Sequence, residues 1–551
     1  MKKLRLLALC FGLALNLARP AALLAAEAKP SLHSGLSAYT RKVTTVSPEA
    51  QRYFDQGLAF TYGFDHEMAI KSFQEAAHLD PQCAMAWWGI ANACGPNINL
   101  PMVDPDHAAL AWDAITKARA AAEHGTPAEQ ALIQAQAQRY VEKYNADRKA
   151  LDEAYAAAMR KVWHTHPDNA DTGALFAEAM MDLRPWDQWQ ADGKPQPGTD
   201  EVLAALKTVM ALNPDHPMGL HLVIHANEAS ATPEVALPAA NRLRTQRSLI
   251  GHMEHMPSHI DVRVGNWLEA AESNERAIQS DLRYRQTVGE PQGILFGYMA
   301  HNRHMQAYAA MMTGQSAVAF RTIRTMVAEL PPTVPDEIFG FIDGFTAMPY
   351  EVLIRYGRWD EILAEPTPAE KYVFSRALLL AARGIALAAK GQPAAARAEQ
   401  AAFLLAKGKI PAEAAFGTNH MPDLLAVAEH MLAGEILYRE EKIDAGLAEL
   451  REAVRCEDAL HYDEPPGWII PVRHSLGASL MQAGRYPEAE QVYRADLKKL
   501  PANGWSLFGL AESLEVQGKK TEAGTVRAEF KKTWAYADTV IKSSCFCQPG
   551  L

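Results

Sequence analysis

The chain has 551 residues, of which 48% are hydrophobic and 22% are charged, and its formal net charge is −11 at pH 7. This is the composition of an ordinary soluble protein, and the acidic balance argues against a nucleic-acid partner. Alanine-rich runs such as 154–158 and 394–396 favour helix, and almost no strand-like alternation is found.

The N-terminus has the pattern of a secretory signal peptide. Basic residues at positions 2, 3 and 5 precede an apolar run from Leu6 to about Leu17, and Ala26-Glu27-Ala28 fits the small-residue cleavage pattern. The alternative is a membrane anchor, but the apolar run is too short for one, and no later segment is long enough. We therefore expect a signal peptide over residues 1–26, a periplasmic or secreted protein, and no membrane span after cleavage.

From Tyr53 onwards, small residues and a proline recur at the spacing of a two-helix repeat. The first unit contains Gly57, Ala69, Phe73, Ala76 and Pro81. Later units have a glycine at a turn and an alanine five positions further on: Gly265/Ala270, Gly314/Ala319, Gly391/Ala396, Gly484/Ala489 and Gly518/Ala523. Three intervals, from Ala231 to Gly265, Gly357 to Gly391 and Gly484 to Gly518, equal the 34-residue tetratricopeptide period.

The chain thus resembles the tetratricopeptide-repeat superfamily over most of residues 47–541. The resemblance implies an all-α solenoid of helix pairs, a right-handed superhelix whose first helices line a concave ligand-binding groove. Longer intervals, such as Gly265 to Gly314, indicate inserted loops. The resemblance implies no chemistry, because a fold does not determine a function.

Histidines are concentrated in the middle of this repeat array. Measured back from the turn residues, they fall at equivalent places on three successive first helices: His221, His225, His252, His255, His259, His301 and His304. Residues three or four apart share one helix face. Neighbouring packed helices lie roughly 8–10 Å apart, so imidazoles on adjacent helices can meet on a shared metal ion. The pattern predicts a transition-metal site on the concave face, holding one or two ions.

The histidines form a stripe along one face of these three helices. Two further residues lie on this histidine stripe and are candidate catalytic groups. Glu228 could be a ligand, a residue that orients a ligand, or a general base, and Tyr308 lies at a groove-facing place. Imidazole suits copper, zinc and iron, and we rank them in that order. Copper would indicate an oxidase or oxygenase. Zinc would indicate a hydrolase with Glu228 as the base.

Two alternatives to a metalloenzyme remain open. The first is a non-catalytic scaffold that binds a peptide or a protein partner in the groove, and the second is a copper- or zinc-handling protein. In either an enzyme or a scaffold, the groove would take a small-molecule or peptide ligand. At the C-terminus, Cys545 and Cys547 could bind a soft metal, form a disulfide or remain free thiols.

These patterns divide the chain into six segments. They are a signal peptide (1–26), an N-terminal linker (27–46), N-terminal repeats with a helical insert (47–200), a histidine-rich block with the metal site (201–330), C-terminal repeats (331–541) and a cysteine-containing tail (542–551).

Overall fold

A computed structural model describes residues 30–190, 192–332 and 339–548, and these residues form an all-α fold. The all-helical class expected from the sequence is therefore confirmed. The signal peptide expected over residues 1–26 lies outside the described residues. None of the described helices is both long enough and apolar enough to cross a membrane.

In the first half of the chain, the described residues form thirteen α-helices and two short 3-10 helices, Ala122–His124 and Pro233–Ala236. Their starts follow local sequence: Ser47 caps the first by accepting a hydrogen bond from the Ala50 N–H, and Thr126 forms a capping box with Glu129. The helices are α1 (Pro48–Tyr62), α2 (His66–Leu79), α3 (Ala84–Ala93), α4 (Pro105–Ala121), α5 (Pro127–Gln136), α6 (Lys149–Thr165), α7 (Ala170–Met181), α8 (Thr199–Leu212), α9 (Pro217–Asn227), α10 (Leu237–Thr245), α11 (Gly251–His255), α12 (Pro257–Val264) and α13 (Trp267–Thr287).

The second half continues the same pattern with a small hairpin inserted. Strands β1 (Ala415–Phe416) and β2 (Asn419–His420) pair antiparallel. The helices are α14 (Leu295–Met312), α15 (Ser316–Glu329), α16 (Phe339–Arg355), α17 (Trp359–Ala364), α18 (Val373–Ala389), α19 (Pro393–Lys407), α20 (Met421–Arg439), α21 (Ile443–Asp458), α22 (Val472–Gln482), α23 (Tyr486–Lys499), α24 (Gly504–Val516) and α25 (Lys520–Thr533).

Left-handed glycines make the reversals between paired helices. Gly265, between α12 and α13, has φ +84°, and Gly484, between α22 and α23, has φ +70°. Glycine is favoured here because it has no Cβ to clash in this conformation. The alanines five positions later are fully buried between helices: Ala270, Ala319, Ala396, Ala489 and Ala523. The chain is thus a solenoid of tetratricopeptide-type helix pairs, as its spacing predicts.

Among the described residues, the solenoid is filled by two large hydrophobic cores, with a smaller third one from Leu447 to Ala523 and a minor cluster at Cys545 and Cys547. The first extends from Val43 to Met299 and the second from Val262 to Ile541. The C-terminal repeats fold back on the middle of the chain, because the Trp267 indole donates to the Pro501 carbonyl at 2.8 Å and the Trp505 indole donates to the Met311 carbonyl at 2.7 Å. The histidine-rich helices lie where the two cores adjoin.

The segments that flank the repeats also pack on the body. On the N-terminal side, Thr44 donates its backbone N–H to Glu129 at 2.8 Å. On the C-terminal side, Asp538 accepts from the Ser316 and Ala317 N–H groups at the start of α15. Cys545 and Cys547 in the tail form a disulfide, which is one of the three states that the sequence left open.

Candidate metal centre

Four helices carry the central histidines. His221 and His225 lie on α9, His252 and His255 on α11, and His259 on α12. The sequence predicts one continuous helix from His252 to His259, whereas the structure divides it at Pro257. Proline has no N–H for the helical hydrogen bond, so a new helix begins there. The two pieces still share a face. The remaining pair, His301 and His304, lies on α14.

The first group of three imidazoles consists of His221, His225 and His252, called here the first triad. The Nε2 atom of His221 lies 3.1 Å from Nε2 of His252 and 3.1 Å from Nε2 of His225. All three side chains are buried. One nitrogen of each lies within 4.8 Å of the others, as ligands of one ion would.

The second triad consists of His255, His259 and His301. The Nε2 atoms of His255 and His259 are 2.6 Å apart, and the His301 ring centre lies 4.6 Å from that of His255. One nitrogen of each residue again lies within 4.8 Å of the others. The triads adjoin, since the ring centres of His225 and His259 are 5.6 Å apart.

The Nδ1 atoms of His221 and His255 are tied to hydrogen-bond acceptors, whereas Nδ1 of His252 has no hydrogen-bond partner among the described residues. His221 Nδ1 lies 2.8 Å from the Tyr62 carbonyl, which can only accept. His255 Nδ1 lies 2.6 Å from Asn274 Oδ1, and the Asn274 amide group donates to the Ala270 carbonyl, which fixes its orientation. In His221 and His255, the proton of the neutral ring is therefore on Nδ1, and the Nε2 lone pair is free.

Glu228 connects the two triads. Its Oε1 accepts from His225 Nδ1 at 2.9 Å, and its Oε2 lies 2.6 Å from His259 Nδ1. A second carboxylate, Glu464, lies 3.0 Å from the same His259 nitrogen. Carboxylates in this place orient a ligating imidazole and increase its basicity. His225, Glu228 and His259 also offer one ligand atom each within 4.8 Å of one another, so the geometry fits both an orienting role and a ligand role for Glu228.

Burial and charge set the protonation of the cluster. Burial lowers the pKa of four histidines well below the usual value because a buried imidazolium loses its hydration: His221, His252, His255 and His301. Burial also opposes a charge on His259, but Glu228 and Glu464 outweigh it and raise the pKa of His259 to about 10. Burial opposes ionisation of Glu228, yet His225 and His259 hold its pKa below the usual value.

Two residues of the histidine stripe lie apart from the triads. The His304 ring faces Phe345 and Phe416, at 5.8 and 6.3 Å between ring centres, and its Nε2 has no hydrogen-bond partner among the described residues. The Tyr308 ring packs edge-on against Trp267 at 5.6 Å. The structure thus brings together six of the seven histidines and Glu228.

Aromatic residues that the sequence did not single out cover the first triad. Phe64 lies 4.5 Å from the His221 ring, and Tyr298 stacks on His252 at 4.5 Å. Phe64 has φ +61° and directly precedes the N-cap Asp65 of α2, where later repeats have glycine. A left-handed backbone costs a bulky residue roughly 1–2 kcal/mol. Such strain is concentrated at functional sites.

Comparisons with known proteins add no evidence for the fold, which is therefore argued from the structure itself. No family model matches the chain, and no curated protein does. Human IFIT1 bound to m7Gppp-AAAA is 14% identical, over 90% of this chain and 92% of that one, with a TM-score of 0.32. Cut9–Hcn1 from the APC/C is 14% identical, over 84% and 76%, with a TM-score of 0.32. The P58(IPK) TPR domain is 10% identical, over 74% and 93%, with a TM-score of 0.18. TM-scores this low support no inference about the fold or the function of this chain.

Proposed function

We propose that this protein is a transition-metal protein that holds two ions, one on each triad, and that copper is its metal. The observation that carries the proposal is the contact between His221 and His225, whose Nδ1 atoms both face an acceptor and whose Nε2 atoms lie 3.1 Å apart. Two lone pairs at 3.1 Å repel each other unless a cation or a proton lies between them. A metal ion satisfies a whole triad at once.

A proton alone satisfies the first triad poorly. His221 Nε2 meets two other Nε2 atoms, and one proton serves only one of those contacts well. Burial also disfavours the protonated form of His221 and His252. His221 and His225 are anchored through Nδ1 to the Tyr62 carbonyl and to Glu228, which is the arrangement found around protein-bound metals.

The ligand set favours copper and leaves zinc as the second candidate. Each triad offers imidazole nitrogens only, and divalent copper binds such sites most tightly among the first-row ions. Two adjacent copper ions would support an oxidase or oxygenase acting with dioxygen. Zinc on three histidines would leave one position for water and support hydrolysis. Glu228 already contacts two imidazoles, so it fits an orienting role better than that of a free base.

The remaining parts of the proposal concern location and partners. The basic and apolar N-terminal sequence supports export to the periplasm or the medium, where copper and zinc are plausible metals. The solenoid surface supports a peptide or protein partner. A scaffold that uses its helices only for such a partner, or a protein that only stores or transfers copper or zinc, would share this fold.

Elemental analysis of the purified full chain tests the proposal. We expect two copper ions per chain, with His221→Ala and His255→Ala each losing one. His304→Ala is the matched control, because it removes a buried histidine of the same block outside both triads, and it should keep both ions. Circular dichroism confirms that each variant is folded.

Three results would separate the alternatives. Less than stoichiometric metal that does not rise after metal addition overturns the metal site and leaves the scaffold. Stoichiometric zinc in a colourless protein replaces the oxidase with the hydrolase. Copper without oxygen consumption on any oxidisable substrate indicates a copper-handling protein. An oxidised copper pair without an EPR signal would indicate that the two ions are coupled.

A further inference from the structure

Trp186 is the half-buried residue that lies against both triads. Its ring meets His225 edge-on with 5.6 Å between ring centres and lies 6.4 Å from His259. Both of these histidines are buried, with 4% and 1% of their surfaces exposed. The indole therefore separates one histidine of each triad from solvent.

The backbone and side chain of Trp186 are held in place. Its indole N–H donates to Asn99 Oδ1 at 3.0 Å. Its φ is +61°, in the left-handed region that a bulky side chain rarely adopts. The segment continues to Trp189, whose indole donates to the Ala226 carbonyl at 2.8 Å. A strained residue held by such contacts over a buried cluster suggests a role at the site.

A small cavity lies beside the Trp186 ring and reaches His225 and Glu228. The other lining residues include Ile98, Met181 and Gln188. Its volume of about 10 Å³ is about what a single water molecule requires. In this conformation, a ligand that reaches the histidines from this side has one or two non-hydrogen atoms.

We propose that Trp186 selects the ligands of the metal centre by size, admitting water, dioxygen and molecules of similar size and excluding larger ones. This inference rests on the proposed function, because the ligands that it sorts are those of the metal ions. Trp186 is thereby a specificity-determining residue. The co-substrate is a small molecule that the indole ring does not need to recognise through a charge or a hydrogen bond.

The first test uses the full chain loaded with copper(I). Carbon monoxide, a two-atom probe, should bind to the wild type and give an infrared C–O band. Bathocuproine disulfonate, a bulky copper(I) chelator, should remove the copper slowly. Trp186→Ala should accelerate that removal on the order of tenfold or more, because removal no longer depends on local opening. Trp186→Phe should stay close to the wild type.

Trp189→Ala is the matched control, since Trp189 belongs to the same segment but donates to the backbone carbonyl of Ala226 instead of packing on a histidine ring. It should leave the removal rate within about twofold of wild type. Equal removal rates in wild type and Trp186→Ala, or the same acceleration in both alanine variants, would overturn the size filter. So would a wild-type protein that binds no carbon monoxide.

The second test needs no metal and therefore distinguishes this inference from the proposed function. Diethyl pyrocarbonate modifies accessible imidazoles, and mass spectrometry locates the product. In the metal-free protein, His225 should be protected, and Trp186→Ala should expose it while Trp189→Ala does not. If metal analysis fails but this protection is found, Trp186 still covers the histidine. Modification of His225 in the wild type would overturn the covering role itself.

Discussion

Buried histidines occupy equivalent repeat places in both halves of the molecule, yet their surroundings differ. His474, on α22, accepts from Arg355 Nη1 on Nδ1 at 2.7 Å, and its Nε2 lies 3.0 Å from Asp496 Oδ2. Because an arginine can only donate, the His474 ring donates its own proton to Asp496. His221, at the matching place on α9, is tied to a carbonyl on Nδ1 and meets two other imidazole nitrogens on Nε2.

This comparison shows that burial alone does not identify a metal ligand. Each nitrogen of His474 has a partner of the opposite kind, so the protein satisfies that ring without an ion. At the contact between His221 and His225, both Nδ1 atoms face an acceptor, so two Nε2 lone pairs meet, and the missing cation has to come from outside the side chains. The useful criterion is therefore hydrogen-bond complementarity, and the predictions below test it from the largest expected effect to the smallest.

The largest effect is expected when the buried hydrogen-bond network around His474 and Asp496 is broken. Asp496 accepts from His474, Asn503 and Ser506, all of them buried. Asp496→Ala removes one partner of a buried network, so the free energy of unfolding should fall by about 3–5 kcal/mol. Denaturant unfolding measures this, and the metal content of the folded fraction should not change. A loss of metal equal to that in His221→Ala would contradict the division between the two histidine environments.

Metal should stabilise the triads and leave the His474 network unaffected. Copper that binds only the folded chain raises its unfolding free energy by about 2.7 kcal/mol when free copper is a hundred times its dissociation constant. Thermal or denaturant unfolding with and without copper measures the gain. The gain should shrink in His221→Ala and in His255→Ala and stay intact in His304→Ala. An undiminished gain in both triad variants would place the metal elsewhere.

A smaller effect is expected from the groups that hold Nδ1. Asn274→Leu removes the acceptor of His255 Nδ1 and should weaken the ion of the second triad about 10- to 100-fold. Asn274→Asp restores an acceptor and should recover most of the affinity. Competition with a chelator of known affinity provides the measurement. Equal affinity in the leucine variant and the wild type would show that this contact does not support the metal.

The smallest effect is expected at His107, a half-buried histidine that is paired with two carboxylates. His107 lies 2.6 Å from Asp104 and 3.2 Å from Glu67, which together raise the pKa of His107 to about 9 despite partial burial. Protonated His107 stabilises the folded state fully at pH values below its pKa in the unfolded chain, which is about 6.5. This stabilisation is lost as the pH rises through about 9. His107→Gln should therefore cost less than about 1 kcal/mol at pH 6 and nothing at pH 10. A difference that does not depend on pH would contradict the ion pair.

Local spacing predicted the fold and most of the histidine cluster. The turn glycines and buried alanines follow directly from helix-pair packing, and six histidines converge as their repeat places indicate. The same register placed Tyr308 and His304 on the stripe, but it could not say which neighbours they meet. Their rings turn towards Trp267 and Phe345 instead.

Long-range contacts were beyond what spacing can show. Glu464 reaches His259 from the loop between α21 and α22, and Trp186 comes from the loop between α7 and α8. No local pattern relates these loops to the histidine helices, because only tertiary packing brings them together. Phe64 did carry a signal, since an aromatic residue stands where other repeats have a left-handed glycine.

Glu228 has a thermodynamic consequence for how the two ions bind. One carboxylate holds an imidazole of each triad, so an ion that fixes His225 also fixes the group that positions His259. The second ion would then bind to a site that is already ordered, and the two affinities become linked. Such coupling is reciprocal: whichever ion arrives first favours the other by the same factor. Occupancy would then pass from empty to doubly filled with few singly loaded chains.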